Sequence, residues 1–222
     1  MDIGTADGAF LFNIKRRNWD TAGIEISDSF LTQSRFHDLN IVIGDIGRQK
    51  FPSHSYDVIT LWHVFEHLAD PRQYLSEIQR IITPSGLLVM TLPNAKSWQA
   101  QLFGSSWFHR DIPRHLFHYS PATLTALLLQ YGFVVQRIEF FSLEYNPFGY
   151  IQSFLNLCYH DDNRFYDALK NGGWRIMLRH PIRTMIWGIS ALIISPFAMV
   201  LSITEAVAKR GGTLKVYSKR VE

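Results

Sequence analysis

The sequence is poor in cysteine and in charge, and each shortage excludes a class of protein. Its single cysteine, Cys158, excludes an intramolecular disulfide and a zinc site built on several cysteines. A reducing compartment therefore suits the chain. Charged residues make up 18% of the 222 residues and the net charge is +3, too little for a nucleic-acid-binding footprint. The opening residues have neither a basic stretch nor a long apolar run, so no secretory signal is predicted.

Short apolar runs alternate with amphipathic ones from Met1 to about Phe140, which indicates β/α units around a parallel sheet. The pairs Asp70-Pro71 and Ser120-Pro121 each place a capping residue before a proline, which predicts the starts of two helices. Six strands are predicted, at Asp2–Gly4, Thr21–Ile26, Asn40–Ile43, Tyr56–Trp62, Gly86–Leu92 and Phe133–Phe140.

After Phe141 the sequence becomes aromatic and apolar, and strand-like alternation returns only at Gly212–Lys219. We predict that this last segment rejoins the sheet beside the sixth strand and antiparallel to it. The predicted fold class is therefore α/β, a Rossmann-like, mostly parallel seven-stranded sheet with an antiparallel last strand. Residues 1–140 and 211–222 would form this domain, and residues 141–210 a hydrophobic helical insertion.

A glycine-rich loop follows the first predicted strand, in Asp2-Ile-Gly-Thr-Ala-Asp-Gly8. Glycine lets a ligand approach the backbone, and the next helix offers free N–H groups and a partial positive charge. Glu25 ends the second strand, where a carboxylate can accept both hydroxyls of a ribose. Asp45 ends the third strand, where it can reach an adenine amino group while Ile46 covers the ring. Since open α/β sheets bind ligands at this edge, the three strand ends predict a nucleoside site.

These motifs, together with Tyr56–Leu68 and Leu87–Asn94, resemble the class I S-adenosylmethionine-dependent methyltransferases, in the group that includes ubiquinone- and menaquinone-biosynthesis-like enzymes. Only Met1 precedes Asp2, so by this resemblance we expect an N-terminally truncated chain with a short first strand. The resemblance implies S-adenosyl-L-methionine as the cofactor. It also implies that the cofactor is bound by Asp2, Gly4, Ala6, Gly8, Glu25, Asp45, Ile46, His63 and Val64.

A segment dense in polar and aromatic residues, Trp107–Tyr119, follows the fifth predicted strand, over the edge where an acceptor would bind. Its Pro113-Arg114-His115 recurs in the resembling family, which implies an active-site loop. If the acceptor is a hydroxyl, a base must take its proton, and His115 or His109 is the candidate. Both histidines could instead hydrogen-bond the loop to the sheet.

Two motifs have alternative interpretations. The H-x-x-E-H pattern at residues 63–67 matches inverted zinc peptidases. It follows an apolar strand without a break, so we predict that His63 ends the strand and that no metal is bound. Arg114 could hold an anionic group of the acceptor, or it could pair with Glu66 or Asp111.

The segment Thr184–Thr204 has no charged residue and is long enough to span a bilayer. Pro196 lies inside it and is expected to break the helix. We therefore predict a shallow hairpin of two arms that dips into one leaflet, or else a hairpin buried against the sheet or in a dimer interface. Basic residues at both ends suit two cytoplasmic flanks, namely Arg175, Arg179, Arg183, Lys209 and Arg210.

The sequence thus predicts a methyltransferase on the cytoplasmic face of a membrane. Its acceptor would be a small, lipidic or saccharide hydroxyl, bound under residues 93–119 and 141–210, and no nucleic-acid partner is expected. A catalytically inactive adaptor of the same fold is one alternative. An NAD-dependent oxidoreductase is another, but the glycine loop lacks the G-x-G-x-x-G spacing and Asp45 would have no role.

Overall fold

A computed structural model describes residues 1–28, 38–160, 163–170 and 173–221. The chain forms two compact units, each built from separate stretches of sequence. The predicted insertion at 141–210 lies in the second unit, which also takes the segment after the fifth strand. The first unit comprises Met1–Leu92, Ala122–Ile138 and Lys215–Glu222, and the second comprises Pro93–Pro121 and Glu139–Leu214.

The strands form one seven-stranded sheet in the order β3-β2-β1-β4-β5-β7-β6. The pairs β1–β2, β2–β3, β1–β4 and β4–β5 are parallel. The last strand enters between β5 and β6 and runs antiparallel, which confirms the predicted fold class. The strands are β1 (Asp2–Ile3), β2 (Gly23–Glu25), β3 (Ile41–Ile43), β4 (Tyr56–Trp62), β5 (Ile82–Pro93), β6 (Phe133–Glu139) and β7 (Thr213–Arg220).

Both predicted helix starts are confirmed. The Asp70 carboxylate accepts hydrogen bonds from the N–H groups of Arg72 and Gln73, so it caps the helix that begins at Pro71. The α-helices in the described part of the chain are α1 (Ala9–Lys15), α2 (Pro71–Ile81), α3 (Trp98–Phe103), α4 (Pro121–Gln130), α5 (Tyr145–Tyr159), α6 (Arg164–Leu169), α7 (Trp174–Arg179) and α8 (Pro181–Val207).

Strand β5 begins at Ile82, four residues before its predicted start. Pro84-Ser-Gly86 has the composition of a turn, yet the structure accommodates it as an irregularity within the strand. Ser85 adopts a left-handed conformation with φ of 61°, and the pairing register of β5 with β4 shifts there. A bulge of this kind lets one extended strand contain residues that favour a turn.

The order of the strands positions the candidate site. Chain order reverses between β1 and β4, which are neighbours in the sheet. Such a switch point opens a crevice at the carboxyl ends of the strands. Ile59 and Leu61 of β4 are fully buried, as are Leu75 and Ile78 of α2, so the crevice rests on a packed core.

The predicted hairpin is wrong, because α8 is one continuous helix of 27 residues that passes through Pro196. A proline has no N–H to donate to the carbonyl four residues earlier, here that of Leu192. The Ser195 hydroxyl donates to the Leu192 carbonyl instead, at 2.9 Å. The carbonyl group that proline leaves without its helical partner is therefore satisfied locally, and the helix continues.

The second unit has its own core, which includes Trp187 and Ala198 of α8 together with Tyr150 and Leu155 of α5. A buried polar cluster centred on Glu205 fixes the end of α8. Its carboxylate accepts hydrogen bonds from the Tyr150 hydroxyl, the Gln99 side chain, the Asn146 side chain and the Gly212 N–H. These four donors satisfy a carboxylate that would otherwise be costly to bury.

Candidate active site

A cavity of about 360 Å³ lies in the first unit, at the carboxyl ends of β1, β2, β3 and β4. This is the position that the sequence predicts for a nucleoside site. Its walls contain six of the nine predicted cofactor residues and omit Asp2, Gly8 and Asp45. The cavity is lined by Ile3, Gly4, Ala6, Ile24, Glu25, Ile26, Gly44, Ile46, Trp62, His63, Val64, His67, Leu68 and Tyr74.

Gly4 is required by both its conformation and its surroundings. Its φ of 76° is in the left-handed region, which favours glycine. A Cβ atom built on Gly4 would lie 2.4 Å from a Val64 methyl group, closer than atoms can pack. The first strand and the end of the fourth therefore approach each other closely at the cavity wall. Gly8 has φ of 81° and forms the turn that starts α1.

The Glu25 carboxylate ties the glycine loop to the end of β2. Its Oε2 atom accepts a hydrogen bond from the Ala6 N–H at 2.9 Å. Its Oε1 atom accepts from the Ile26 N–H at 2.8 Å and the Ser27 N–H at 3.2 Å. A carboxylate has about four acceptor positions. Glu25 thus holds the loop in place and retains limited capacity to accept a ribose hydroxyl.

Asp45 lies beside the cavity without lining it. Its side chain caps a 3₁₀ turn by accepting a hydrogen bond from the Gly47 N–H at 2.8 Å. It also accepts one from the Tyr74 hydroxyl at 2.6 Å. Burial and this hydrogen bond raise the pKa of Tyr74. Ile46 is buried and lines the cavity, as expected for a residue that covers a ring.

Asp2 is buried beneath the loop, where the Thr60 hydroxyl donates to it at 2.5 Å. Burial raises the pKa of Asp2 to about 7, with a smaller contribution from the negative charge of Glu25 and an opposing effect of the Thr60 hydrogen bond. A cationic ligand nearby would favour the ionised form of Asp2. Asp2 can therefore respond to such a ligand through its charge without forming part of the cavity wall.

His63 follows the end of β4 in a left-handed conformation, with φ of 53°. Its Nδ1 atom lies 3.3 Å from the Glu66 carboxylate, and residues 65–67 form a 3₁₀ turn. The H-x-x-E-H pattern therefore does not lie on an α-helix, in agreement with our interpretation of it as the end of a strand. A non-glycine residue held in this conformation is a typical feature of a functional loop.

The lining residues suit an S-adenosylmethionine ligand. The glycine loop provides close backbone approach, Glu25 provides a carboxylate, and apolar side chains provide a surface for a ring. The Trp62 indole Nε1 is buried with no hydrogen-bond partner among the described residues, so it is an available donor in a wall residue. Sequence reasoning missed Trp62, Leu68 and Tyr74. The apolar β4 run signalled Trp62, but no pattern indicated that α2 would contribute Tyr74.

Replacing Ala6 by glycine is expected to raise the free energy of unfolding by about 1 kcal/mol, because a left-handed conformation is unfavourable for alanine. Ala6 has φ of 47°, and its N–H donates to Glu25. Urea denaturation of Ala6→Gly and the parent chain measures the difference. Ala9→Gly, within α1, is the matched control and should be destabilising. A lower free energy of unfolding for Ala6→Gly would contradict this prediction and show that the left-handed conformation of Ala6 does not destabilise the folded chain.

The predicted acceptor loop lies in the second unit. The His115 Nδ1–H donates to the His109 carbonyl at 2.7 Å, so the other ring nitrogen, Nε2, is the proton-accepting atom of the neutral imidazole. Nε2 lies 3.9 Å from the Asp111 carboxylate, which would stabilise the imidazolium. His109 packs its ring against Trp107, Phe108 and Tyr145. His115 therefore has the geometry of a base, and His109 has that of a packed core residue.

Arg114 pairs with Asp111, one of its two predicted partners, through hydrogen bonds of 2.8 Å and 3.2 Å to one carboxylate oxygen. Both residues line a polar cavity of about 470 Å³ in the second unit. Arg110, Trp107, Asn156 and Asn163 line it as well. The cavity thus has two guanidinium groups beside one carboxylate, and this excess of donors suits a polar or anionic group.

Comparison with known proteins gives one family match. A family model described as a methyltransferase domain matches residues 1–138. The chain is 24% identical over 161 residues to the ubiquinone biosynthesis O-methyltransferase of Acinetobacter baumannii (strain AYE), an alignment covering 66% of this chain and 67% of that protein.

Solved structures share the fold. A SAM-dependent methyltransferase from Archaeoglobus fulgidus superposes with a TM-score of 0.60 and 22% identity, covering 99% of this chain and 84% of that one. The [4+2]-cyclase SpnF superposes with a TM-score of 0.61 and 16% identity, covering 99% of this chain and 73% of that one. At these identities the likeness concerns the fold alone, and the second structure illustrates that one fold supports different reactions.

Proposed function

Because the chain belongs to the methyltransferase domain family and is a class I S-adenosylmethionine-dependent methyltransferase, we propose that it methylates a hydroxyl group of a small, lipidic or saccharide acceptor at a membrane surface. The observation that carries the cofactor assignment is the cavity at the ends of four parallel strands, with Glu25 and the glycine loop in its wall. The family match supports this reading over an NAD-dependent oxidoreductase, and the transfer assay below tests it against an inactive adaptor of the same fold.

Different residues of the chain would bind the cofactor and remove the proton of the acceptor. S-adenosylmethionine, when bound, supplies a methyl group already activated by its sulfonium. We assign the ribose to Glu25, the adenine ring to Ile46, and the methionine part to His63 and Val64, all of which line the cavity. Asp45 lies beside the cavity, and to reach the adenine amino group its carboxylate would have to exchange its hydrogen bond with Tyr74 for one with the ligand. The remaining requirement is alignment of the acceptor oxygen, which supplies much of the rate in such a transfer.

Proton removal from the acceptor is assigned to His115. Its Nδ1–H is held by the His109 carbonyl, and Asp111 lies near Nε2 to stabilise the charge that the imidazole gains. Arg114 and Arg110 would orient a polar or anionic group of the acceptor in the polar cavity that they line. Oxygen is favoured as the acceptor atom because the relative described above is named an O-methyltransferase.

A catechol with an alkyl tail is the first acceptor probe, given the quinone named in that relative. The full chain, vesicles containing this catechol and radiolabelled S-adenosylmethionine should give a labelled O-methyl product. A matched alkylaniline tests nitrogen as the alternative acceptor. Label on the aniline alone would contradict O-methylation, and binding of S-adenosylhomocysteine with no transfer to either probe or to a saccharide panel would favour the adaptor.

Membrane contact is assigned to α8. Trp187, Ala198, Ser202 and Glu205 form its buried stripe, so one face of the helix packs into the second unit from Trp187 to Glu205. A helix packed in this way along its length has one face left for lipid, and we infer that it lies in the plane of the interface rather than spanning the bilayer. The opposite face exposes Ile182, Met185, Ile186, Ile189, Leu192, Ile193, Phe197, Val200, Leu201, Ile203 and Val207.

Two further features of α8 support lipid contact. The hydroxyls of Thr184, Ser195 and Thr204 each donate to a carbonyl of their own helix, which satisfies polar groups where lipid offers none. Arg175 and Arg179 precede the helix, Arg183 lies in its first turn, and Lys209 and Arg210 follow it. These residues would contact anionic headgroups on the cytoplasmic face.

Leu192→Asp is expected to weaken binding to anionic vesicles roughly tenfold or more, because this change costs up to about 4 kcal/mol in a membrane helix and less at an interface. Leu192 is 75% exposed and lies in the middle of the apolar face. Leu129→Asp is the matched control, since Leu129 is 60% exposed on α4 in the other unit. Vesicle flotation measures both. Equal flotation of the two variants would rule out contact through α8.

A further inference from the structure

A second cavity lies entirely within the second unit, between α3, α5 and α8. Its volume is about 440 Å³, within the range of small-ligand sites, which is roughly 300–1,000 Å³. Leu102, Phe103, Phe154 and Ala198 are among its wall residues. Every wall residue except Tyr150 has a purely apolar side chain, and none belongs to the predicted cofactor or acceptor residues. The catalytic proposal therefore leaves this cavity without a role.

The wall offers no hydrogen bonding to a ligand. Tyr150 is the one lining residue with a polar side-chain atom, and its hydroxyl donates to the buried Glu205 carboxylate at 2.9 Å. A buried water needs two to four polar partners, so an ordered water chain does not suit the cavity. A peptide backbone would bring N–H and C=O groups that find no partners there. A plain hydrocarbon meets neither obstacle.

The mouth of the cavity joins the lipid-facing side of α8. Ile193 and Phe197 line the cavity and are 63% and 68% exposed. Leu102 and Leu157, from the helices opposite, are also lining residues and are more than half exposed. Cavity and exposed face thus form one continuous apolar surface, and large exposed apolar patches mark interaction or membrane-contact sites.

We propose that this cavity binds one acyl chain of a bilayer phospholipid, which enters between α5 and α8 while α8 lies in the membrane interface. The proposal rests on the membrane contact assigned to α8 above, and it does not depend on the methyl-transfer reaction. The source is the bilayer itself, since the rim of the cavity faces the lipid that α8 contacts. The bound acyl chain would hold the second unit at a fixed depth in the membrane interface.

Photolabelling of the full chain tests the proposal. The probe is phosphatidylcholine with a diazirine in one acyl chain, in vesicles that also contain phosphatidylglycerol. We expect adducts on Phe103 and Tyr150, which line the cavity, are buried and are reached by an acyl chain only from inside it, and on the outer face near Val200. Ala198→Phe fills the cavity and should reduce the Phe103 and Tyr150 adducts at least tenfold while flotation is retained. Val200→Phe places the same ring outside the cavity and should leave them unchanged.

A second variant and a competition experiment test the alternatives to acyl-chain binding. Ile193→Trp, at the exposed rim, narrows the mouth and should also reduce cavity labelling if Ala198→Phe fails to fold. Labelling confined to α8, or equal in Ala198→Phe and Val200→Phe, would overturn the cavity proposal and leave the membrane contact standing. Absence of all labelling would overturn both. Displacement of the label by geranylgeraniol but not by oleate would assign the cavity to an isoprenoid and overturn the acyl assignment.

Discussion

Glu25→Ala is expected to weaken binding of S-adenosylhomocysteine about 100-fold, because hydrogen bonds to a charged group contribute roughly 1.5–3 kcal/mol each. The change removes the carboxylate that we assign to the ribose. It also removes the acceptor of the Ala6, Ile26 and Ser27 N–H groups, so the glycine loop loses its attachment to β2. Both effects act on the same ligand, and isothermal titration calorimetry measures their sum.

Two control variants separate these effects. Glu25→Gln keeps one side-chain oxygen for the loop but loses the negative charge, so its affinity should fall between the two extremes. Asp7→Ala removes another acid of the same loop, whose carboxylate accepts from the Ala9 N–H. Because Asp7 is exposed and does not line the cavity, its loss should change affinity less than threefold. An affinity of Glu25→Ala within threefold of the parent chain would contradict the ribose assignment.

Local sequence signals predicted several elements of the first unit, because the start of a helix and the bounds of a strand depend on neighbouring residues. Asp70 before Pro71 marks a helix start through two hydrogen bonds made within three residues. The apolar run Tyr56–Trp62 forms a strand of the same bounds because an interior parallel strand is covered on both faces. The glycine positions likewise follow from backbone conformations that other residues adopt with difficulty.

Features that depend on distant or compensating contacts were not predictable. Pro196 indicates a break, but the Ser195 hydroxyl replaces the missing hydrogen-bond donor, so α8 continues. The Asp45 side chain is turned toward Tyr74, a residue of α2 that lies 29 positions further along the chain. The first outcome depends on the direction in which the neighbouring Ser195 hydroxyl donates, and the second on a residue distant in sequence, so local propensity predicts neither.

The predicted acceptor loop shows the same limit. The sequence Pro113-Arg114-His115 indicated that this segment is an active-site loop. Asp111, which pairs with Arg114 in the structure, was one of the two partners predicted for Arg114. A hydrogen bond from the His115 ring to the His109 carbonyl links the two candidate bases, but only His115 has the geometry of a base. The sequence named both histidines as candidates for the base. In the structure His109 packs against three aromatic rings, which identifies it as a core residue.

His115→Asn is expected to lower kcat for the alkyl catechol between roughly 100- and 10,000-fold, the usual contribution of a general base. Asparagine can still donate to the His109 carbonyl through its Nδ2 group, so the loop keeps its hydrogen bond while the proton-accepting Nε2 is lost. Affinity for S-adenosylhomocysteine should be unchanged, because Glu25 and the glycine loop remain. Radiolabel transfer under saturating cofactor measures kcat, and calorimetry measures the affinity.

A pH profile separates a base from a residue that only positions the loop. With His115 as the base, the rate should rise with pH as its imidazole loses its proton, and this rise should be absent in His115→Asn. His118→Asn is the matched control, because His118 is exposed on the same loop and its Nε2–H donates to the backbone carbonyl of Arg110. It should keep both the rate and the profile. A His115→Asn variant that is slow but retains the rise would make His115 a positioning residue and move the base elsewhere.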